Sequence, residues 1–331
     1  MKLATLKNGK RDGELVVVAR DLRTAARVPG IAGTLQDALD RWDDCHSALR
    51  RVYEALNDGS IAHGFAFDPA QAMAPLPRAP QWCDGSAFLN HARLMEVAFD
   101  TAPIPDLETI PLMYQGASDD FLGPQDDIAL PDEAHGIDFE GEFGVIVGHV
   151  PMACPAAEAL NHVRLVVQIN DVSLRAFGPR EMRTGFGFLN AKPSTSFAPV
   201  AVTPDELGDA WRGGRVHLDL HIAWNGNWFG HPNGGAMNFG FGELIAHAAQ
   251  TRRLTAGTII GSGTVSNADR DAGSACISER RAIEMIDSGC IQTAFMRFGD
   301  EVRMEAKTPS GNAAFGAIEQ RVTRYPGQEQ A

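Results

Sequence analysis

The chain has 331 residues, 44% hydrophobic and 21% charged, which is an ordinary globular composition with enough length to bury a sizeable core. Its 29 basic and 42 acidic residues give a net charge of −13, so no nucleic-acid partner is expected. Without a secretory signal or a run of about 18 apolar residues, and with five scattered cysteines and no CxxC pair, the sequence favours a cytoplasmic protein without a membrane span and with reduced thiols.

The first part of the chain predicts a small domain. KLATL and ELVVVAR predict two strands joined by a turn. Apolar residues at three- and four-residue steps or their sums predict one helix over 34–59, with Thr34 as N-cap and Gly59 as C-cap. A proline-rich stretch follows and predicts an extended linker. We therefore expect an N-terminal domain over residues 1–75, with a hairpin and one helix, and a larger domain over residues 76–331.

The larger part predicts short strands broken by glycine. HVRLVVQIN predicts a strand, and two further stretches predict hairpins that turn at Asn225-Gly226 and at Gly299-Asp300. Only two helices are predicted here, near 155–162 and 241–251. Because these helices are too few for alternating βαβ units, the expected fold class is α+β and mostly β.

Three acidic residues at alternate positions stand out in DFEGEFGVIVG: Asp138, Glu140 and Glu142. In a strand these side chains share one face, and a solvated strand face is the ordinary interpretation. Two further acids favour a metal site over a solvated face: Asp171 comes just after the strand predicted over 163–170, and Asp84 follows the proline-rich linker. Four converging carboxylates would repel one another unless they held a cation or had raised pKa values, and Mg²⁺ and Ca²⁺ prefer such oxygen ligands. The sequence does not show whether the acids converge.

The segment GSGTVS, residues 261–266, has a partial likeness to a dinucleotide-binding loop. It lacks the third glycine, and no long helix clearly follows it. We therefore favour a tight turn that brings the backbone close to another group.

The order of the segments resembles the fumarylacetoacetate hydrolase (fumarylacetoacetase) family over about residues 80–310. The matching stretches are DGSAFLNH, PLMYQGAS, IDFEGEFGVIVG, NDVSLR, FLNAKPSTSFAPV, AGTIIGSGTVSN, SACISERR and GDEVRME. The resemblance implies a mixed β-roll catalytic domain preceded by a small β-rich N-terminal domain, and a homodimer.

The resemblance also assigns site residues by position. The metal ligands it implies are Asp84, Glu140, Glu142 and Asp171, whereas Asp138 matches no ligand and is expected to be solvated or salt-bridged. The implied catalytic residues are His91, Lys192 and Glu279, with Glu96 as an alternative partner for His91. The implied substrate-binding residues are Arg175, Tyr114 and Thr264. The alternative for His91 is a structural histidine. For Lys192 and Arg175 it is ordinary surface ion pairing, and for Thr264 it is a hydroxyl in a turn.

Four departures from the family pattern leave the substrate open. Gly178 stands where fumarylacetoacetase has a glutamine, Val172 where it has a tryptophan and Ser86 where it has a tyrosine, and MYQGAS lacks an arginine. The metal-binding acids are unaffected.

The resemblance implies a metal-dependent hydrolase that cleaves a carbon–carbon bond in a 1,3-diketo acid such as fumarylacetoacetate or an acylpyruvate. The expected partner is thus a small diketo acid, the expected setting is aromatic amino acid catabolism, and the expected cofactor is a divalent ion, Mg²⁺ first, with Ca²⁺ or Mn²⁺ as alternatives. Two other functions stay open: a 2-keto acid lyase, either decarboxylase or hydratase, with the same metal site, and a non-catalytic metabolite-binding relative.

Overall fold

A computed structural model describes residues 1–99, 102–308 and 310–327. None of the helices in these stretches has the length and apolar character needed to cross a bilayer. The strands are β1 (Lys2–Leu6), β2 (Glu14–Val18), β3 (Thr24–Arg27), β4 (Phe65–Ala66), β5 (Trp82–Gly85), β6 (Met113–Gly116), β7 (Ile128–Leu130), β8 (Ile137–Asp138), β9 (Gly141–Val147), β10 (Val163–Asn170), β11 (Ser173–Leu174), β12 (Ser196–Phe197), β13 (Ala201–Val202), β14 (Trp211–Arg212), β15 (Arg215–Val216), β16 (Asp219–Trp224), β17 (Asn227–Gly230), β18 (Ile259–Gly261), β19 (Glu301–Lys307) and β20 (Ile318–Arg324).

The helices are fewer and mostly short. They are α1 (Leu35–Asp40), α2 (Trp42–Asn57), α3 (Leu89–Phe99), α4 (Ala156–Ala159), α5 (Gly178–Thr184), α6 (Phe241–Ala248) and α7 (Ile277–Ser288). The prediction of a mixed, mostly β fold with a β-rich N-terminal part is confirmed.

The largest sheet has eleven strands and runs through both halves of the chain. Its order is β4-β3-β2-β1-β13-β10-β9-β18-β5-β6, with β12 added beside β10. The N-terminal strands join the strands of the larger part where Lys2 and Leu3 of β1 pair with Val202 and Ala201 of β13. The predicted boundary near residue 75 is therefore crossed by one continuous sheet, and one of the two core clusters draws side chains from both sides of it.

The single helix predicted over 34–59 is wrong, because two helices occupy this stretch. Thr34 caps the first, since its hydroxyl accepts a hydrogen bond from the backbone N–H of Asp37 at 3.1 Å. The break is at Arg41, whose φ of −126° and ψ of 37° are not helical. The turn at Arg41 lets α1 and α2 direct their apolar sides into the same core cluster.

A second sheet has the order β17-β16-β19-β20-β7. The hairpin predicted at Asn225-Gly226 joins β16 to β17, and both turn residues have positive φ, 51° and 75°. The hairpin predicted at Gly299-Asp300 is wrong. Since β16 and β20 occupy the two edges of β19, the segment before the turn has no free edge to join.

Helices α3, α5 and α7 were not predicted from the sequence, whereas the two helices predicted near 155–162 and 241–251 are present as α4 and α6. Helices α3 and α7 pack against each other. Because α3 carries His91 and α7 carries Glu279, this packing brings together two residues that are far apart in the sequence.

Candidate metal centre

Three carboxylates converge at one end of the large sheet. Asp84 lies on β5 and Glu142 on β9, while Asp171 directly follows β10. One oxygen from each lies within 4.8 Å of the others, and all three residues are buried. The structure therefore brings together three of the four acids that the resemblance assigned as metal ligands.

A glycine makes this convergence possible. Strand β18 lies between β9 and β5, and its residue Gly261 pairs with both Asp84 and Gly144. A Cβ at Gly261 would lie 2.2 Å from Oδ1 of Asp84 and 2.3 Å from the Trp82 ring. The next glycine, Gly263, donates its N–H to Oδ1 of Asp84 at 3.0 Å. GSGTVS thus forms the predicted close turn, and the group that it approaches is the Asp84 carboxylate.

Glu142 is the clearest sign that a cation belongs here. It is completely buried, and neither of its carboxylate oxygens has a hydrogen-bond donor among the described residues. Burial raises the pKa of Glu142 well above its ordinary value, and Asp84 and Asp171 raise it further. Burial also raises the pKa of Asp84, with Asp171 as the next cause. A buried carboxylate without donors, facing two further buried carboxylates, fits a hard divalent ion with oxygen ligands.

Asp171 differs from these two because donors surround it. Tyr114 Oη donates to its Oδ2 at 2.5 Å, Lys192 Nζ to the same oxygen at 2.5 Å, and Thr195 Oγ1 to Oδ1 at 2.8 Å. Burial and the Asp171 charge raise the pKa of Tyr114, so this phenol remains a donor. Thr195 was missed from the sequence, although it lies three residues after Lys192 in a matching stretch.

Glu140 lies outside the three-carboxylate cluster. The predicted strand through the acids is interrupted, because Phe139 and Glu140 separate β8 from β9. Lys192 Nζ donates to Oε2 of Glu140 at 2.7 Å, and Arg175 Nη2 donates to Oε1 at 2.5 Å. Burial alone would raise the pKa of Glu140, but these two cations hold it below its ordinary value. Glu140 therefore links the cluster to both basic side chains.

The two basic residues do not balance the acids. Asp84, Glu140, Glu142 and Asp171 carry four negative charges when ionised. Burial lowers the pKa of Lys192, but Asp171 and Glu140 outweigh it and hold this pKa above the ordinary value. Arg175 and Lys192 thus supply two positive charges against these four, and Arg175 also contacts the buried Asp138. A dication would offset two of the negative charges that remain.

The sequence predicts that Asp138 is either solvated or salt-bridged. The salt bridge is confirmed, and solvation is wrong. The side chain is completely buried. Arg175 Nε donates to its Oδ2 at 2.8 Å, and two backbone N–H groups of α7 donate to the same carboxylate. Arg175 therefore contacts Asp138 and Glu140, and its predicted contact with substrate stays a prediction.

His91 and Glu279 form a pair beside the cluster. His91 Nδ1 lies 2.9 Å from Oε2 of Glu279, whose side chain is 1% exposed. His91 also contributes to lowering the pKa of Glu140, so the pair lies within electrostatic reach of the acids. The structure thus gives His91 the partner named first from the sequence rather than Glu96, whose Oε1 accepts from the backbone of Ile104.

Thr264 follows Gly263 directly, and its side chain is 6% exposed. It therefore lies next to the turn that holds Asp84. Its assignment to substrate binding stays a prediction.

Loading with a divalent ion should release protons. Because the pKa values of Asp84 and Glu142 are raised, these groups hold protons to a higher pH than ordinary carboxyls, and an ion must displace them. For each proton released, affinity should rise about tenfold per unit of increasing pH below those pKa values. Isothermal titration calorimetry with Mn²⁺ in buffers of different ionisation enthalpy measures this; binding with no proton release across the acidic range would contradict it.

Gly261→Ala should weaken binding of the divalent ion by about 10- to 100-fold, because the new methyl group would displace the Asp84 carboxylate. Gly30→Ala is the matched control, since a Cβ there meets nothing within 4 Å. Titration calorimetry with Mn²⁺ compares the two variants with the unaltered protein. Equal affinities in all three would show that Asp84 does not bind the ion.

The chain is similar in sequence and in fold to known proteins. Residues 81–323 match the fumarylacetoacetate (FAA) hydrolase C-terminal family, and residues 1–78 match fumarylacetoacetase N-terminal domain 2. A 2,4-didehydro-3-deoxy-L-rhamnonate hydrolase from Sphingomonas sp. is 33% identical over 165 residues, covering 49% of this chain and 54% of the relative. A mitochondrial oxaloacetate tautomerase from Bos taurus is 29% identical over 196 residues, 58% of each chain.

The chain thus spans little more than half the length of these two relatives. A solved fumarylacetoacetate hydrolase from Exiguobacterium antarcticum superposes with a TM-score of 0.65 at 18% identity, covering 98% of this chain and 99% of that one, which shows the shared fold. With a profile match over most of its length, this chain belongs to the fumarylacetoacetate hydrolase family.

Proposed function

We propose that this protein is a divalent-metal-dependent hydrolase that cleaves a carbon–carbon bond in a 1,3-diketo acid such as fumarylacetoacetate or an acylpyruvate. The observation that carries the proposal is the donor-free Glu142 carboxylate inside the Asp84–Glu142–Asp171 cluster, with a His–Glu pair beside it. The hydrolase among the relatives supports this proposal, whereas the oxaloacetate tautomerase supports the second candidate below. The substrate is a small molecule, and a homodimer remains part of the proposal.

The proposed ligands are Asp84, Glu142 and Asp171, with Glu140 as the fourth and Mg²⁺ as the ion. Glu140 can bind an ion while it accepts from Lys192 and Arg175, since an ionised carboxylate offers about four lone-pair sites. A bound dication would supply Lewis-acid polarisation of the substrate oxygens and a template for their orientation.

The His91–Glu279 pair is suited to move a proton. When Nδ1–H of His91 donates to Glu279, the lone pair of the ring lies on Nε2, which can remove a proton from water. The Glu279 carboxylate fixes the orientation of the ring and stabilises the imidazolium that forms. The resulting hydroxide attacks one carbonyl carbon of the diketo acid.

Lys192 is a source of positive charge rather than a base. Since Asp171 and Glu140 hold its pKa above the ordinary value, its ammonium group stays protonated and can stabilise the oxyanion created by the attack. We assign Tyr114, Thr264 and Arg175 to the substrate-binding wall around it.

When the carbon–carbon bond breaks, its electron pair goes to the ketone fragment, which takes the proton held by His91. The acyl fragment leaves as a carboxylic acid, so water is consumed and the atoms balance.

A proton-transfer reaction without attack by water is the second candidate. The same pair could shift a proton within a 2-keto acid, as a lyase or tautomerase requires, and one relative is an oxaloacetate tautomerase. The departures at Val172, Gly178 and Ser86 leave both substrate classes open. A non-catalytic metabolite-binding protein is the third alternative, and it would not need the His91–Glu279 pair.

Removal of the ion and removal of the base should have separable effects. A chelator should abolish turnover, and Mg²⁺ or Mn²⁺ should restore it. His91→Ala should lower kcat by a factor on the order of 10² to 10⁴ without weakening ion binding. His63→Ala, at an exposed turn, is the control and should be unchanged. Full activity in chelated protein, or in His91→Ala, would overturn the mechanism.

Product analysis should separate the candidate reactions. Proton NMR of the metal-loaded protein with an acylpyruvate should show a carboxylic acid and pyruvate appearing in equal amounts. With oxaloacetate, a hydrolase of this kind should yield no faster decarboxylation or keto–enol exchange than the metal ion alone. Turnover of oxaloacetate only would assign the lyase or tautomerase, and turnover of neither would favour the non-catalytic alternative.

A further inference from the structure

Asp138 is a buried acid that the proposed mechanism does not use. It is completely buried, yet it does not belong to the cluster that could hold an ion. Burial raises the pKa of Asp138, and the Arg175 charge opposes this effect. Burial of a carboxylate costs free energy unless hydrogen bonds and opposite charges compensate for the lost water. The groups that bind Asp138 therefore indicate its role.

On one side Asp138 holds the start of helix α7. Its Oδ1 accepts the N–H of Ile277 at 2.7 Å, and its Oδ2 accepts the N–H of Ser278 at 2.9 Å. These are unpaired donors of the first helical turn, where the helix dipole also favours a negative charge. The next residue of the helix is Glu279, the partner of His91. The position of Glu279 therefore depends on a carboxylate from a distant strand.

On the other side Asp138 holds Arg175. The guanidinium donates to Oδ2 of Asp138 at 2.8 Å and to Oε1 of Glu140 at 2.5 Å, so one planar group joins the two acids. The backbone of Asp138 is fixed as well, because β8 pairs with β11 through Asp138 and Ser173. A continuous chain of contacts thus runs from Glu140 through Arg175 and Asp138 to α7.

We propose that Asp138 is a positioning residue that fixes the His91–Glu279 pair relative to the metal-binding carboxylates. The proposal rests on the proposed function for its kinetic consequence. A carboxylate fits the role because the hydrogen-bond partners of both its oxygens, Arg175 and the N–H groups of Ile277 and Ser278, are donors. In Asp138→Asn, the amide NH₂ would face either Arg175 or a helix N–H, and α7 would shift with Glu279 on it.

The first test needs no substrate. In the Mn²⁺-free, Mg²⁺-loaded protein, the His91 Nδ1 proton should give a downfield NMR resonance, assigned by its loss in Glu279→Gln. Asp138→Asn should shift or broaden this resonance, while calorimetry gives an Mg²⁺ Kd within about twofold of the original. Asp68→Asn is the control, since Asp68 accepts an N–H at the start of a short helix in the N-terminal part. An unchanged resonance would overturn the proposal.

The second test is kinetic. Asp138→Asn should lower kcat by about 10- to 100-fold, the scale found for residues that orient active groups. KM should change by a smaller factor, because Arg175 keeps its second partner, Glu140. In a Glu279→Gln background the same change should have an effect of no more than about twofold, because the pair is already broken. Equal losses in both backgrounds, or a Kd for Mg²⁺ that weakens in step with kcat, would overturn the proposal.

If Asp138→Asn does not fold, Asp138→Ser gives the same readouts, since its hydroxyl is too short to reach both Arg175 and the helix. If no diketo or keto acid is turned over, the proposed function fails while the NMR result still decides the role of Asp138.

Discussion

Repulsion between buried carboxylates is the constraint on which the rest of the site depends. Asp84, Glu142 and Asp171 approach within 4.8 Å, and each ionised pair at that distance repels by roughly 3 kcal/mol at an effective dielectric near 20. Tyr114, Lys192 and Thr195 offset the charge of Asp171, but no donor among the described residues reaches Glu142. The fold therefore holds acids at a distance that only protons or a cation can stabilise.

The architecture supplies this arrangement by stacking strands from distant parts of the chain. Strands β10, β9, β18 and β5 place the acids at one end of the large sheet, and Gly261 leaves room for Asp84 between them. Alternating charges then extend outward from the cluster, through Lys192, Glu140 and Arg175 to Asp138. The chain of ion pairs ends on helix α7, so the carboxylate cluster and the His91–Glu279 pair belong to one connected network.

Local patterns predicted the local features and failed where partners are distant. Thr34, the Asn225-Gly226 turn and the strand before Asp171 depend on neighbours in the sequence, and all three appear as predicted. Helix α7 was missed because the buried face that should be apolar carries Glu279, whose partner is 188 residues away. Alternation alone could not predict that Glu142 lies in the carboxylate cluster while Glu140 forms ion pairs. This difference depends on Arg175 and Lys192, which donate hydrogen bonds to Glu140.

A crystal structure of the protein with Mn²⁺ tests the central claim most directly, because the anomalous signal of the ion locates it without ambiguity. The account predicts one strong anomalous peak at about 2.0 to 2.3 Å from oxygens of Asp84, Glu142 and Asp171. A peak elsewhere, or no peak between these carboxylates in crystals saturated with Mn²⁺ at neutral pH, would contradict it.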